Sequence, residues 1–300
     1  MPQYAFLPDR ALLTLSGEDA RPFLQGLVTA DIQKLSDSRS LYGALLTPQG
    51  KFLHDFFILA WGGGIALDCE EERADDLVRR LTAYKLRSKA VIARLPDVKV
   101  CAVWNAAVWP AGLETPGNTL PLKDSGLVMR DPRLAEAGLR IVAGEVSARA
   151  FLATLGGMES DAAAYDEHRL SLGLPDGSRD IEVERGLPLE YGLDLVGAVD
   201  FGKGCYVGQE VTARTRFRAQ LRKALFTVQA ETGMLPAAGT PVVQNGAEVG
   251  ELRSGRGRIG LAFLRLEEGR RAAQGQESLT AGTVRLQVAL PRRAAASDEK

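Results

Sequence analysis

The sequence has 300 residues, with 37 Lys and Arg against 38 Asp and Glu, a formal net charge of −1, and 45% hydrophobic and 25% charged residues. That length allows one large or two modest domains with a sizeable core, and the composition is that of an ordinary soluble globular chain. The near-neutral balance excludes a strongly basic nucleic-acid binder by bulk charge, and no run approaches the roughly 18 apolar residues that a membrane span needs.

The first seven residues, Met1 to Leu7, lack the basic region and apolar core of a signal peptide and the Arg/Ser-rich pattern of a transit peptide; a cytoplasmic protein is expected. The three thiols are Cys69, Cys101 and Cys205, widely spaced and without a CxxC. This argues against a disulfide framework and for a reducing compartment. With His54 and His168 as the two histidines, so few and so widely spaced soft ligands argue against a self-contained four-ligand zinc or iron–sulfur site. Any cluster would need ligands from another molecule.

Residues 10–15 read as a strand. Ser16 is placed to cap a following helix with Asp19 three residues on, and Phe23, Leu24, Leu27 and Val28 give it one apolar face. Runs over 41–46 and 52–61 are joined by Thr47-Pro48-Gln49-Gly50, which suits a type I turn, so a long hairpin is expected. Gly62-Gly63-Gly64 turns the chain into a strand over 65–68. Ala74, Leu77, Val78, Leu81 and Tyr84 mark a second amphipathic helix ending near Lys85, followed by strands over 90–95 and 98–104. Cys69 and Cys101, at a strand end and inside a strand, read as small apolar side chains.

Residues 105–124, with three prolines and two glycines, read as a loop. Helices are expected over 146–155 and 161–172. An irregular segment then passes through Leu187-Pro188-Leu189-Glu190 to Phe201-Gly202-Lys203-Gly204-Cys205-Tyr206-Val207-Gly208-Gln209-Glu210. Glycines so clustered mark tight turns or backbone that something approaches closely, and a thiol near a cation tends toward the thiolate. Alternation over 211–217, with Arg214, Arg216 and Arg218 at period two, predicts a strand with a cationic face. From Ala224 onward, short strands with an Asn245-Gly246 hairpin turn suggest a small barrel. The expected division is a body over 1–219, a barrel over 220–292 and a polar tail over 293–300.

The segments Arg169-Leu170-Ser171-Leu172-Gly173-Leu174-Pro175 through Asp180, Leu187 to Glu190, and Lys203 to Arg214 closely resemble the YgfZ family. These are folate-binding relatives of the glycine-cleavage T-protein (GcvT, the aminomethyltransferase), and the order is most similar to the branch with the mitochondrial iron–sulfur cluster assembly factor. The string Lys203-Gly204-Cys205-Tyr206-Val207-Gly208-Gln209-Glu210 is the family's signature. Gly17 to Ala20, Phe23 to Gly26, Thr29 to Asp31, Leu46 to Lys51 and Leu81 to Arg87 extend the likeness along most of the chain.

The resemblance implies an α+β fold: a GcvT-like folate-binding body with a central cavity, the signature cysteine at its rim, and a C-terminal β-barrel. It implies a role in building or maintaining 4Fe–4S enzymes, including radical enzymes of tRNA modification. Tetrahydrofolate is the implied cofactor, and a transient iron–sulfur cluster would be shared between Cys205 and an A-type scaffold, with glutaredoxin as a further partner. Asp55 matches the aspartate beside the reacting folate nitrogen in GcvT. The acidic residue typical of that enzyme just before it is His54 here, a departure that weighs against aminomethyl transfer.

Several roles stay open. Cys205 reads as a cluster ligand, a redox nucleophile or a structural thiol. Lys203 could lower the thiol's proton affinity, bind an anion or simply be solvated. Gln209 and Glu210 are expected to fix the loop, and Tyr206 to pack or to stack on a pterin. Asp55 and Glu190 are candidate pterin acceptors or ordinary carboxylates. Arg214, with Arg216 and Arg218, could grip a folate glutamate tail or RNA phosphate, or form a solvated face. The leading expectation is a non-catalytic assembly factor; a folate-dependent one-carbon transferase and an RNA-associated regulator of tRNA modification are the alternatives. Direct nucleic-acid binding is not expected.

Overall fold

A five-stranded sheet, a six-stranded sheet and a closed six-stranded barrel carry the chain. In this computed structural model, which describes residues 1–123, 126–218 and 221–290, contacts divide the chain into two units. One consists of Met1–Leu46, Leu53–Tyr165 and Val196–Val207; the other consists of Thr47–Phe52, Asp166–Leu195 and Gly208 onward.

In the first unit, the five-stranded sheet runs in the order Leu41–Leu46, Phe52–Trp61, Gly64–Glu70, Arg10–Ser16, Val91–Arg94. The apolar runs of the first three of these strands are almost wholly buried, whereas the edge strand Val91–Arg94 is mostly exposed. Helix Ala74–Lys85 covers the sheet with Ala74, Leu77 and Leu81. The helix at Ala20–Gln25 is only six residues long, and the expected cap is not made. Instead, the Asp19 carboxylate accepts the Lys89 N–H at 2.7 Å.

The six-stranded sheet runs Met158–Glu159, Gln3–Phe6, Lys99–Trp104, Leu139–Ala143, Gly126–Arg130, Thr119–Leu122. Tyr4, Val103, Val128 and Ile141 pack with Ala148 and Leu152 of helix Glu145–Thr154. The expected loop over 105–124 therefore ends early, in an edge strand. Pro121 is tolerated there because an edge strand does not need every N–H for its ladder; position 124 lies outside the described residues. The two sheets are tied by a buried ion pair. Asp68 accepts from Arg10 Nε of its own sheet at 2.7 Å and from Arg140 Nε of the other. Burial of Cys69 and Cys101 pushes both thiols up to about 12, so they act as the small apolar side chains expected.

In the second unit, the strands Lys223–Ala230, Ile259–Arg265, Ala247–Arg256, Pro241–Gln244, Leu279–Ala281 and Val284–Ala289 close a barrel in that order. Phe226, Val228, Leu252, Leu264 and Leu279 fill it. Helix Leu266–Ala273 and strand Leu279–Ala281 have no counterpart in the sequence reading. A Cβ on Gly269 of that helix would sit 2.4 Å from the Phe226 ring, so only glycine allows this approach. The expected tail over 293–300 lies outside the described residues.

The Arg169–Asp180 part of the family motif is structural in this unit. Arg169 donates to Asp166 at 2.7 Å, to Asp180 at 2.6 Å, to the Leu174 carbonyl at 3.0 Å and to Ser254 Oγ at 3.1 Å. One guanidinium thus links helix Ala162–Ser171, the turn Gly177–Asp180 and a barrel strand.

Candidate functional site

The signature turn belongs to the first unit up to Val207 and is fastened to the segment that follows the first helix. Asp200 N–H donates to the Thr29 carbonyl at 3.0 Å, Thr29 Oγ1 donates to the Ala198 carbonyl, and Val207 N–H donates to the Gly26 carbonyl at 3.2 Å. Lys203 Nζ spends all three protons on the carbonyls of Gln25, Val28 and Ala30, at 2.7, 2.6 and 2.8 Å. Burial pulls its proton affinity down to about 8, against the pull of Asp31 and Asp200. A buried ammonium so used is not available to bind an anion: Lys203 anchors the turn. Asp200 accepts the Gly202 N–H at 2.8 Å and pairs with Lys34.

Tyr206 is buried, with its ring centroid 5.0 Å from Lys203 Nζ. Between these two anchored residues, Gly204 and Cys205 are exposed. The arrangement presents one thiol to solvent on backbone held from both sides. The clamp residues Gln25, Thr29 and Asp200 were missed by sequence reasoning; the available signal for Gln25 and Thr29 was their place in the family-like strings Phe23 to Gly26 and Thr29 to Asp31, and Asp200 lay in none.

Asp55 lies on strand Phe52–Trp61 and is buried, accepting the Tyr42 hydroxyl proton. Burial, and next the Asp55 charge, raise the proton affinity of Tyr42. The Arg133 guanidinium lies 5.5 Å from the Tyr42 ring centroid and 4.8 Å from that of Phe57, and is held by Asp131 and by the Tyr165 hydroxyl at 3.1 Å. Asp55 is therefore a carboxylate in an aromatic, cation-rich interior, not a hairpin surface group. His54, beside it, contacts Asp76 at 2.9 Å.

Glu190, Gln209, Glu210 and Arg214 belong to the second unit. Glu190 is half-buried, and burial raises its proton affinity while Lys51 and Lys223 lower it. The expected strand after Glu210 is a helix, Gln209–Arg218. Val211, Thr212, Thr215 and Phe217 favour strands intrinsically, but the Thr212 and Thr215 hydroxyls donate back to the Gly208 and Val211 carbonyls at 3.0 and 2.9 Å. The cationic strand face does not exist: Arg214 pairs with Glu210 at 2.8 Å along the helix, and Arg216 contacts Asp194 at 3.4 Å. Gln209 opens this helix. Gly50 of the hairpin turn, at φ +71°, packs against it, and a Cβ there would lie 3.0 Å from Val211 Cβ and 3.1 Å from the Gly208 carbonyl. Among the described residues, no group of three or more His, Cys, Asp or Glu is placed to hold a metal ion.

Comparison with known proteins agrees with this architecture. Residues 222–296 match the family model of the CAF17 C-terminal beta-barrel domain. The glycine cleavage system aminomethyltransferase T of Bartonella henselae superposes with a TM-score of 0.78 over 96% of this chain and 85% of that one, at 17% identity. This establishes the GcvT-like fold. The human mitochondrial iron–sulfur cluster assembly factor IBA57 is 33% identical over 306 aligned residues, 93% of this chain and 83% of that protein. The mouse protein of the same name is also 33% identical, over 87% of this chain and 77% of its own length. Both are named as mitochondrial, which overturns the cytoplasmic location expected from the first seven residues. On these matches, the chain belongs to the family of iron–sulfur cluster assembly factors that includes IBA57.

Proposed function

We propose that this protein is an iron–sulfur cluster assembly factor in which Cys205 serves as a thiolate ligand to a cluster in transit. The observation that carries the reading is the anchored turn: one exposed thiol, fixed by Lys203 and Tyr206 on either side. Iron–sulfur clusters take thiolate ligands, and one cysteine supplies one, so the remaining ligands come from a partner. An A-type scaffold, with glutaredoxin as an alternative donor, suits this role, and 4Fe–4S enzymes, including radical enzymes of tRNA modification, are the clients.

The fold family also implies tetrahydrofolate. A pterin presents amide and amine donors that suit a carboxylate acceptor, and the buried Asp55 has the chemistry to hold it; Glu190 is a separate candidate with the same chemistry. Bound folate would supply one-carbon chemistry or act as a positioning group. The chain's own contribution is to bind and orient it through such a carboxylate.

The test is anaerobic cluster reconstitution with and without an A-type scaffold, using the parent protein and Cys205→Ser. A cluster absorbance that needs both the scaffold and Cys205 is expected. A stable cluster on this chain alone, or an unchanged cluster in Cys205→Ser, would refute the shared-ligand reading. The same variant is expected to keep its fold and its tetrahydrofolate affinity, while Asp55→Asn weakens that affinity. Aminomethyl transfer from a lipoyl carrier would instead support the transferase, and salt-sensitive tRNA binding the RNA-associated regulator.

A further inference from the structure

Arg130 ends strand Gly126–Arg130, and its backbone is held on both sides: its N–H donates to the Asn118 carbonyl at 2.8 Å, and its own carbonyl accepts the Gly117 N–H at 3.0 Å. The residue is only 7% exposed. Within that burial, Nε and Nη1 have no hydrogen-bond partner among the described residues. The guanidinium lies over the indole of Trp109, 4.5 Å from the ring centroid. Burial lowers its proton affinity, and Asp131 and Glu136 act on it through space to raise it. The Asp131 carboxylate is itself committed to Arg133, through the Arg133 N–H at 2.9 Å, Nε at 3.1 Å and Nη2 at 2.8 Å.

An arginine in this state is costly. Stacking on an indole attracts the cation by about 0.5–2 kcal/mol, but it satisfies none of the in-plane N–H groups. Burying charged N–H groups without hydrogen bonds, as at Nε and Nη1 here, is costly. The planar fork of a guanidinium matches the two oxygens of a carboxylate or phosphate. Trp109 is half-buried in the irregular segment between strands Lys99–Trp104 and Thr119–Leu122, beside the exposed Val108.

We propose that Arg130 and Trp109 form a binding site for an oxyanion group, a carboxylate or a phosphate, carried by a small ligand. The site uses neither Cys205 nor the residues assigned above to cluster or folate binding, and it stands whether or not those assignments hold.

Inorganic phosphate and acetate are titrated separately into the whole protein, with chloride at matched ionic strength as the control. Binding is followed by tryptophan fluorescence, calorimetry and the thermal unfolding midpoint. At least one anion is expected to give a saturable fluorescence change and a saturable rise in the midpoint. Tighter phosphate binding identifies a phosphate ligand, and tighter acetate binding a carboxylate ligand. Arg130→Met is expected to abolish binding, and Arg130→Lys to weaken it about tenfold, as expected when a point charge replaces a bidentate fork. Trp109→Phe should lose the fluorescence signal while calorimetric binding remains. In chloride alone, Arg130→Met should be at least as stable as the parent, because it removes a buried charge whose Nε and Nη1 lack hydrogen-bond partners among the described residues; a purely structural arginine would lose stability. Failure of both anions to saturate, or equal shifts in parent and Arg130→Met, overturns the proposal. If Arg130→Met does not fold, the lysine and phenylalanine variants decide it by the same readouts.

Discussion

The Lys203 ammonium donates to the Val28 carbonyl oxygen at 2.6 Å, across 175 residues of sequence. Its other two protons go to Gln25 and Ala30. A lysine two places before a cysteine reads as a cation waiting for a thiolate, but here it is the fastening of the turn that presents the thiol. Lys203→Met would strand three carbonyls and is expected to cost about 2–4 kcal/mol, since hydrogen bonds to a charged donor are the stronger ones. Urea unfolding measures this directly. A loss below about 1 kcal/mol would show that the turn holds without its clamp.

The three thiols should separate cleanly in reactivity. Cys205 is exposed, whereas Cys69 and Cys101 are buried, with their thiols pushed up to about 12. Reactivity needs both access and thiolate character. Native protein treated with iodoacetamide at pH 8 is therefore expected to take one label, at Cys205, and unfolded protein three. Peptide mass analysis reads the positions. Rapid native labelling of Cys69 or Cys101 would contradict the packing of the first unit.

Much of the fold was legible because its signals are local. The hairpin at Thr47 to Gly50 and the Asn245-Gly246 turn, with φ of +48° and +83°, carry their geometry in two to four residues. The helix Gln209–Arg218 was misread because Arg214, Arg216 and Arg218 recur at period two, as on one face of a strand; the hydroxyl back-bonds that reconcile threonine with a helix leave no trace in sequence. The strands Gly126–Arg130 and Leu139–Ala143 are short and lack distinctive turn residues, and they exist through pairing with Lys99–Trp104 and each other. The site was legible in its position and not in its construction. Cys205 stood out by composition, but the carbonyls that receive Lys203 and the indole under Arg130 are long-range partners that no window contains.

His54 makes the first unit sensitive to acid. Burial and Arg73 push it down to about 4, against the opposing bond to Asp76. The folded value lies below the ordinary value near 6.5, so between about pH 6.5 and 4 the unfolded chain holds a proton that the folded chain does not. This contribution to stability is intact above pH 6.5 and is lost as pH falls toward 4. A difference of that size corresponds to about 3 kcal/mol. Burial pushes the Asp76 carboxyl up, but hydrogen bonds from Arg80, Arg79 and His54 hold it well below the usual carboxylate range; its contribution is likewise lost toward acid. His54→Gln can still donate to Asp76 without titrating, so its unfolding midpoint in urea should fall less than the parent's between pH 7.5 and 4.5. Equal falls would place the acid sensitivity elsewhere.

Arg169 offers the sharpest stability test in the second unit. Its guanidinium meets two buried carboxylates, a carbonyl and the Ser254 hydroxyl. Asp166 would keep Arg179 at 3.0 Å and Arg256 at 3.1 Å after its removal, but the fully buried Asp180 would keep, among the described residues, hydrogen bonds from the neutral donors Ser254 Oγ and the Asp176 N–H at 2.9 Å. Removing one partner of a buried pair leaves an uncompensated charge and costs about 3–5 kcal/mol. Arg169→Met is therefore expected to destabilise by that amount. Arg169→Lys should recover part of it, because a lysine supplies charge but cannot span all four acceptors. If the cost comes mainly from the stranded Asp180 charge, Asp180→Asn should relieve it, and the double variant should be more stable than the two single losses predict. Urea unfolding of the four proteins gives the coupling, expected to exceed about 1 kcal/mol; additive losses would show that Arg169 acts mainly through its other contacts.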